Sequence, residues 1–199
     1  MYTIRPAEKA DAARCAAIYA PYTEGAITYE HPAPDAAEIA RRMEEVTAAY
    51  PWLVCERDGE VIGYAYAHRF RERMAFDWTV EMSIYLDRDA LGGGIGTALY
   101  SALIELLAAL GYVNAIGTVA TPNPPSERLH EKCGFERLFC AERIGWKMGK
   151  WRDMTYYMLR LNPPEGEPAP ARLYPELDAE YVARVCAKHA AAIREARHD

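Results

Sequence analysis

Three groups of residues in this 199-residue chain have types and spacings that could do chemistry. The first is the run Leu91-Gly92-Gly93-Gly94-Ile95-Gly96-Thr97, set between a strand-like segment and a leucine-rich helical one. Consecutive backbone N–H groups that converge at a helix start hold a phosphate without a metal or a lysine cluster, and glycine lets the anion come close. A P-loop would end in lysine followed by Ser or Thr, and no lysine is present here. A dinucleotide fingerprint begun at Gly92 would need glycine at 97, where Thr97 stands, and one begun at Gly94 would need it at 99, where Leu99 stands. The run therefore reads as an anion site built on backbone amides, or else as a flexible connector. The second group is Glu81, which shares the polar face of a strand with Thr79 and Ser83. The third is His130, whose imidazole donates or accepts a proton near neutral pH and which stands three residues before Cys133 on one helix.

These groups need elements to position them. Tyr2 to Ile4 reads as a short strand stopped by Pro6, followed by an amphipathic helix from Ala7 to Tyr19. A loop is expected from Pro21 to Pro32, then a second helix capped by Asp35 with Ile39, Met43 and Val46 on one face. Trp52 to Cys55 and Val61 to Ala67 flank Asp58-Gly59, a hairpin signal. Trp78 to Leu86 alternates polar and apolar residues as a half-buried strand does, with Trp78 on the core face. Ile95, Leu99, Leu103, Leu106 and Leu110 mark a helix of about four turns closed by Gly111. A strand from Tyr112 to Ala120, a helix from Asn123 to Lys132, and strands at Phe135 to Ile144 and Thr155 to Leu161 complete an α/β (α+β) fold with a mixed central sheet flanked by helices. Residues 1–162 are expected to form this domain and 163–176, rich in proline and glutamate, a linker. Residues 177–199 are expected to carry a further helix capped by Asp178, with Tyr181, Val182, Val185, Cys186 and Ile193 in one stripe and Lys188, Arg194 and Arg197 towards its basic end. That helix would pack on the core or on a second subunit.

Composition narrows the function classes. With 23 basic against 29 acidic side chains the net charge is −6, the wrong sign for affinity that comes from phosphate neutralisation, so nucleic acid is not an expected partner. Five scattered cysteines, without CxxC or His/Cys pairs at ligand spacing, read as reduced thiols of a cytoplasmic protein and not as a metal site. The first residues lack a basic start followed by an apolar run, and no stretch of about 18 apolar residues occurs, so neither secretion nor a membrane span is expected.

The strand, glycine turn and helix are followed by Asn123-Pro124-Pro125-Ser126-Glu127-Arg128-Leu129-His130-Glu131-Lys132-Cys133-Gly134-Phe135. Together these segments resemble the GNAT superfamily of acetyltransferases. Within it, Pro51-Trp52-Leu53-Val54, Asp77-Trp78-Thr79-Val80-Glu81, Arg128-Leu129-His130-Glu131 and Gly145-Trp146-Lys147 with Trp151-Arg152-Asp153 are similar to the phosphinothricin and methionine sulfoximine N-acetyltransferase group. The resemblance covers roughly residues 2–162 and departs at Leu91, where the superfamily commonly has Gln or Arg.

The resemblance implies an acetyl-CoA-dependent enzyme, without metal, that acetylates the α-amino group of a small amino-acid-like substrate by direct attack. It implies that Gly92, Gly93, Gly94, Ile95, Gly96 and Thr97 hold the pyrophosphate on main-chain amides, that Ile84, Tyr85 and Leu86 bond the cofactor through the strand, and that Asn123 and Ser126 contact it. For Asn123, a helix N-cap is the competing reading. Glu81 is implied as the base, and His130 as the acid or a second base where many members have tyrosine. Cys133 as a nucleophile is set aside because the family transfers acetyl directly. Arg71 and Arg73 are implied to grip the substrate carboxylate or phosphinate, with Thr79, Val80 and Glu81 beside it. Tyr29 and Trp78 could wall the pocket. A homodimer is also expected. The alternatives are acetylation of another amine, such as an antibiotic, a polyamine or a peptide N-terminus, and a catalytically silent acyl-CoA-binding module. Arg71 and Arg73 speak against cationic substrates, and Glu81 with His130 against silence.

Overall fold

The computed structural model describes residues 1–194. Its order is β1 (Tyr2–Pro6), α1 (Ala12–Thr23), α2 (Ala36–Thr47), β2 (Trp52–Arg57), β3 (Glu60–Arg69), β4 (Thr79–Leu86), α3 (Ile95–Leu110), β5 (Asn114–Thr121), α4 (Pro124–Lys132), β6 (Glu136–Lys147), β7 (Lys150–Arg160) and α5 (Ala179–Ala190), with short 3₁₀ turns between several of them. The strands form one seven-stranded sheet in the order β1-β2-β3-β4-β5-β7-β6. All neighbours are antiparallel except β4 and β5, which run parallel. The expected element order and mixed α/β sheet are both present.

Period-two alternation sends successive residues of each strand to opposite faces. From β2, Leu53 and Cys55 join a core with α3 and α5, while Trp52 and Val54 join a second core with α1 and α2. The same rule turns Val80 and Met82 of β4 towards α3, leaving Glu81, Ser83 and Tyr85 on the α1/α2 face. Asp35 and Asp178 cap α2 and α5 by accepting the amides of Glu38 and Tyr181, each at 2.8 Å.

Several boundaries differ from expectation. A 3₁₀ turn over Lys9–Asp11 delays α1, which then runs on through Pro21 to Thr23 into the segment expected as loop. Proline so near a helix end removes one donor without breaking the helix. β6 and β7 are longer than their apolar runs, because the left-handed pair Met148 and Gly149 (φ 54° and 70°) makes a two-residue hairpin turn. Within residues 163–176, the part from Ala169 onward lies along the core: Ala169 accepts from Trp78 Nε1 at 2.7 Å, and the Arg172 and Tyr174 amides donate to Leu110 and Ala49. Helix α5 packs on α3 and β1, and Lys188 and His189 bind Glu105 of α3. It ends at Ala190, so Ile193 is buried and Arg194 exposed beyond the helix, and Arg197 lies outside the described residues.

Candidate active site

The parallel pairing of β4 with β5 extends only from Thr79 opposite Asn114 to Met82 opposite Gly117. Beyond it β4 continues to Leu86 on β3, and β5 continues to Thr121 on β7. The two strands therefore part, and each has one backbone edge without a strand partner. Every second residue along such an edge turns its N–H and C=O into the gap, so Ile84, Tyr85 and Leu86 cannot all serve it. A cleft of about 490 Å³ fills the gap, lined by Met82 to Leu86 of β4, Thr118 to Ala120 of β5, and Asn123, Pro125, Ser126, Leu129 and His130 at α4. Tyr100 of α3, Tyr22 of α1, Ile27 of the loop after it, and Arg88 and Leu91 before α3 close it.

The glycine turn adjoins this wall without lining the cleft itself. Gly92, Gly93 and Gly94 all have positive φ (103°, 60° and 84°), a run that side-chain-bearing residues rarely sustain. The Ile95 and Ala98 amides donate to the Gly92 and Gly94 carbonyls, and among the described residues no partner takes the Gly96 or Thr97 amide. A Cβ on Gly96 would stand 3.4 Å from Leu86 and Leu129, both wall residues. The start of α3 thus combines free amides, a helix dipole and close access beside the cleft, which fits a bound pyrophosphate. Leu91 is exposed and brings no charge.

His130 is 2% exposed on the α3/α4 face of the cleft. Its Nδ1 lies 2.8 Å from the Ser126 carbonyl, which can only accept, so Nδ1 carries the proton. Nε2 is then the free lone pair, 3.3 Å from the Tyr100 hydroxyl. Burial holds the imidazole pKa below its ordinary value, with the Ser126 bond opposing. The neutral ring is thus an acceptor at Nε2. The side chain of Asn123 makes no capping bond, and Glu127 instead accepts the Asn123 amide at 2.9 Å. That leaves the Asn123 side-chain carboxamide without a partner among the described residues, on the cleft wall.

Glu81 lies on the opposite, α1/α2 face. It accepts a 2.7 Å hydrogen bond from Thr118 Oγ1, and Thr118 is part of the cleft wall although Glu81 is not. Thr79 accepts from Asn114 Nδ2 at 3.1 Å, and Val80 is fully buried towards α3. Arg71 and Arg73 are exposed between β3 and β4, with the Arg71 guanidinium 4.8 Å over the Phe70 ring. They sit near the start of β4, whereas the cleft opens at its end. Trp78 and Tyr29 are also off the cleft: Trp78 bonds Ala169, and Tyr29 donates to the Asp153 carbonyl at 2.7 Å. Burial pushes the Cys133 thiol up to about 11, so it is not a thiolate nucleophile.

Tyr22, Ile27, Arg88, Tyr100 and Thr118 also line the cleft, and no motif in the sequence marks them. Tyr22 donates to the Leu86 carbonyl at 2.6 Å, and Arg88 donates to the Pro21 carbonyl at 2.7 Å with its guanidinium 5.9 Å from the Tyr22 ring. Together they tie α1 to the end of β4. A tyrosine among helical apolar residues and an arginine in a turn carry no signal of this by themselves.

Known proteins share this architecture. A phosphinothricin N-acetyltransferase of Streptomyces viridochromogenes is 34% identical over 170 residues, 85% of this chain and 92% of its own. An L-methionine sulfoximine/L-methionine sulfone acetyltransferase of Pseudomonas paraeruginosa is 36% identical over 169 residues, 83% of this chain and 98% of its own. The crystal structure of a GNAT superfamily phosphinothricin acetyltransferase from Sinorhizobium meliloti, in complex with acetyl-CoA, superposes with a TM-score of 0.82 at 37% identity, covering 87% of this chain and 98% of that one. The acetyltransferase (GNAT) family matches residues 14–135, and the chain belongs to that family.

Proposed function

We propose that this protein transfers the acetyl group of acetyl-CoA to the α-amino group of a small amino-acid-like substrate of the phosphinothricin or methionine sulfoximine type, by direct attack of the amine. The observation that carries the reading is the division of labour across the parted sheet. The anion-binding turn, His130 and Tyr100 belong to the α3/α4 face, while Glu81 and Thr118 belong to the α1/α2 face, with the cleft joining the two. When bound, acetyl-CoA supplies an activated thioester. An amine entering from the α1/α2 face has to be neutral to attack and has to lose a proton afterwards, and Glu81, reached through Thr118 or a water, is the carboxylate available to take it. On the other face the Tyr100 hydroxyl is the proton-bearing group. Held at the cleft wall by its contact with His130 Nε2, it is suited to giving its proton to a leaving thiolate, and the resulting tyrosinate regains a proton from solvent through the cleft.

Two further expectations have support. The β6–β7 hairpin exposes Leu138, Phe139, Ile144, Trp146, Met148 and Trp151, an apolar surface suited to pairing two copies into a homodimer. All five cysteines are unpaired, and Cys15, Cys55 and Cys186 are buried, in keeping with a reducing cytoplasm.

The deciding experiment is a CoA-release assay with an amine panel: phosphinothricin, methionine sulfoximine, ordinary amino acids, a polyamine and a peptide. Turnover confined to amino-acid-like amines, lost in Glu81→Gln with acetyl-CoA binding retained, is expected. Preference for the polyamine or peptide, or full turnover in Glu81→Gln, overturns the reading.

A further inference from the structure

Lys147 is a buried cation at the end of β6, 8% exposed, with no salt-bridge partner among the described residues. A lone ammonium taken out of water is costly unless all three of its donors are satisfied. Here they are, by main-chain carbonyls of a single segment: Thr23 at 2.7 Å, Thr28 at 2.6 Å and Glu30 at 3.0 Å. These three carbonyls belong to the end of α1 and the loop leading to α2, so one ammonium gathers both ends of a short strap. The same hairpin grips the strap twice more. The Tyr29 hydroxyl donates to the Asp153 carbonyl of β7, and the Tyr29 ring lies against Gly145, where an added Cβ would stand 3.0 Å from it.

What the strap carries makes this more than a loop anchor. Ile27, between the pinned carbonyls, lines the cleft on its α1/α2 face. Thr28 and Glu30 also hold the Tyr19 hydroxyl, at 2.9 and 2.8 Å, and the Tyr19 ring packs edge-on at 4.6 Å against Tyr85, a cleft residue of β4. Glu30 is itself paired with Arg42 of α2 at 2.5 Å, so its carboxylate is committed elsewhere and only its carbonyl serves the lysine. The strap follows α1 on one face of the sheet and the glycine turn opens α3 on the other, so the strap's position bears first on the group that enters from the α1/α2 face.

We propose that Lys147 is a positioning residue that fixes the 24–30 strap as the acceptor-side wall of the cleft, and that the strap, through Ile27, sets which amine side chains the enzyme admits. The inference rests on the acetyl-transfer reading for the identity of the acceptor, but the pinning of the strap does not depend on it.

The test uses the chain with Lys147→Met, which keeps the aliphatic stem and removes the ammonium, and Ile27→Ala, which alters the wall directly at a residue 43% exposed and outside both cores. In Lys147→Met, amide hydrogen exchange should quicken in residues 24–30 and stay unchanged in residues 92–97. The KM for the preferred amine should rise about tenfold or more, as displacement of a substrate-positioning group by about 1 Å does. The Kd of acetyl-CoA by titration calorimetry should stay within about twofold, a split that a general loss of folding would not produce. Ile27→Ala should shift the ranking of the amine panel towards bulkier side chains. Unchanged exchange in 24–30, or an acetyl-CoA Kd that rises in step with the amine KM, overturns the role of Lys147. An amine ranking unaltered by Ile27→Ala overturns the role of the strap even if Lys147→Met fails to fold. If the wild-type chain acetylates nothing while exchange in 24–30 still responds to Lys147→Met, the acetyl-transfer reading fails and the pinning stands.

Discussion

Substituting Gly117 by alanine tests how His130 is held. Gly117 lies in β5 beneath α4, and a Cβ built there would stand 2.3 Å from His130 Nε2 and 2.4 Å from its Cδ2. The ring has nowhere easy to go. It is 2% exposed, stacked on Tyr157 at 5.2 Å between centroids, and flanked edge-on by Tyr100 at 5.3 Å and Phe135 at 5.1 Å. Forcing one methyl into such packing costs about 1–3 kcal/mol. If the imidazole turns far enough to leave the Ser126 carbonyl, a buried unsatisfied donor adds about 1–3 kcal/mol. A combined loss of about 3 kcal/mol lowers Tm by about 6–12 °C in a domain of this size. Turnover should fall with it, by about 10- to 100-fold in kcat/KM, because a group near the reacting atoms is moved by roughly 1 Å. The assays are thermal unfolding by circular dichroism and CoA release. The decisive control repeats the substitution in a His130→Ala background. With the obstructing ring gone, the methyl should cost less than about 1 kcal/mol, a coupling of roughly 2 kcal/mol between the two sites. A Tm within about 2 °C of wild type for Gly117→Ala, or strict additivity in the double variant, refutes the reasoning.

Other consequences are simpler to read. The folded-state pKa of His130 lies below its unfolded value of 6.5, so the unfolded chain binds more protons as pH drops. Its contribution to stability is therefore fully present above about pH 6.5 and lost as pH falls from there through the folded pKa; Tm measured from pH 7.5 to 5 should fall less steeply in His130→Gln than in wild type. The Arg194 amide donates to the Gly93 carbonyl at 2.9 Å, so deleting residues 194–199 frees the glycine turn; acetyl-CoA Kd by calorimetry should rise about fivefold, the equivalent of one hydrogen bond of ~1 kcal/mol. Asp35→Ala removes the cap on the Glu38 amide and should cost about 1 kcal/mol in chemical denaturation, leaving kcat and both KM values unchanged.

How far the site is legible in the sequence follows from which of its features are local. The glycine turn is local. Three successive positive φ values at Gly92, Gly93 and Gly94 are a demand that the residue types themselves announce. The alternation of β4 is local too, and it assigns Glu81 and Met82 to opposite faces before any partner strand is known. The hairpin over Met148-Gly149 is just as local, and the glycine there marks the turn that the apolar runs of β6 and β7 undercount.

The cleft is not local, because it exists only where two strands stop pairing. Nothing within β4 says that its parallel register with β5 ends at Met82, and nothing within β5 says that Thr118 faces Glu81 across the crotch. The same non-locality bears on Arg71 and Arg73. Their closeness in sequence to Glu81 suggests a shared site, yet β4 rises about 3.3 Å per residue and lines the cleft from Met82 onward, so arginines preceding its first residue do not line it. Other elements meet the α1/α2 side of the cleft. The elements that do so, α1 and the strap pinned by Lys147, are the ones for which sequence spacing offers no warning, since Lys147 is more than 110 residues from every carbonyl it binds.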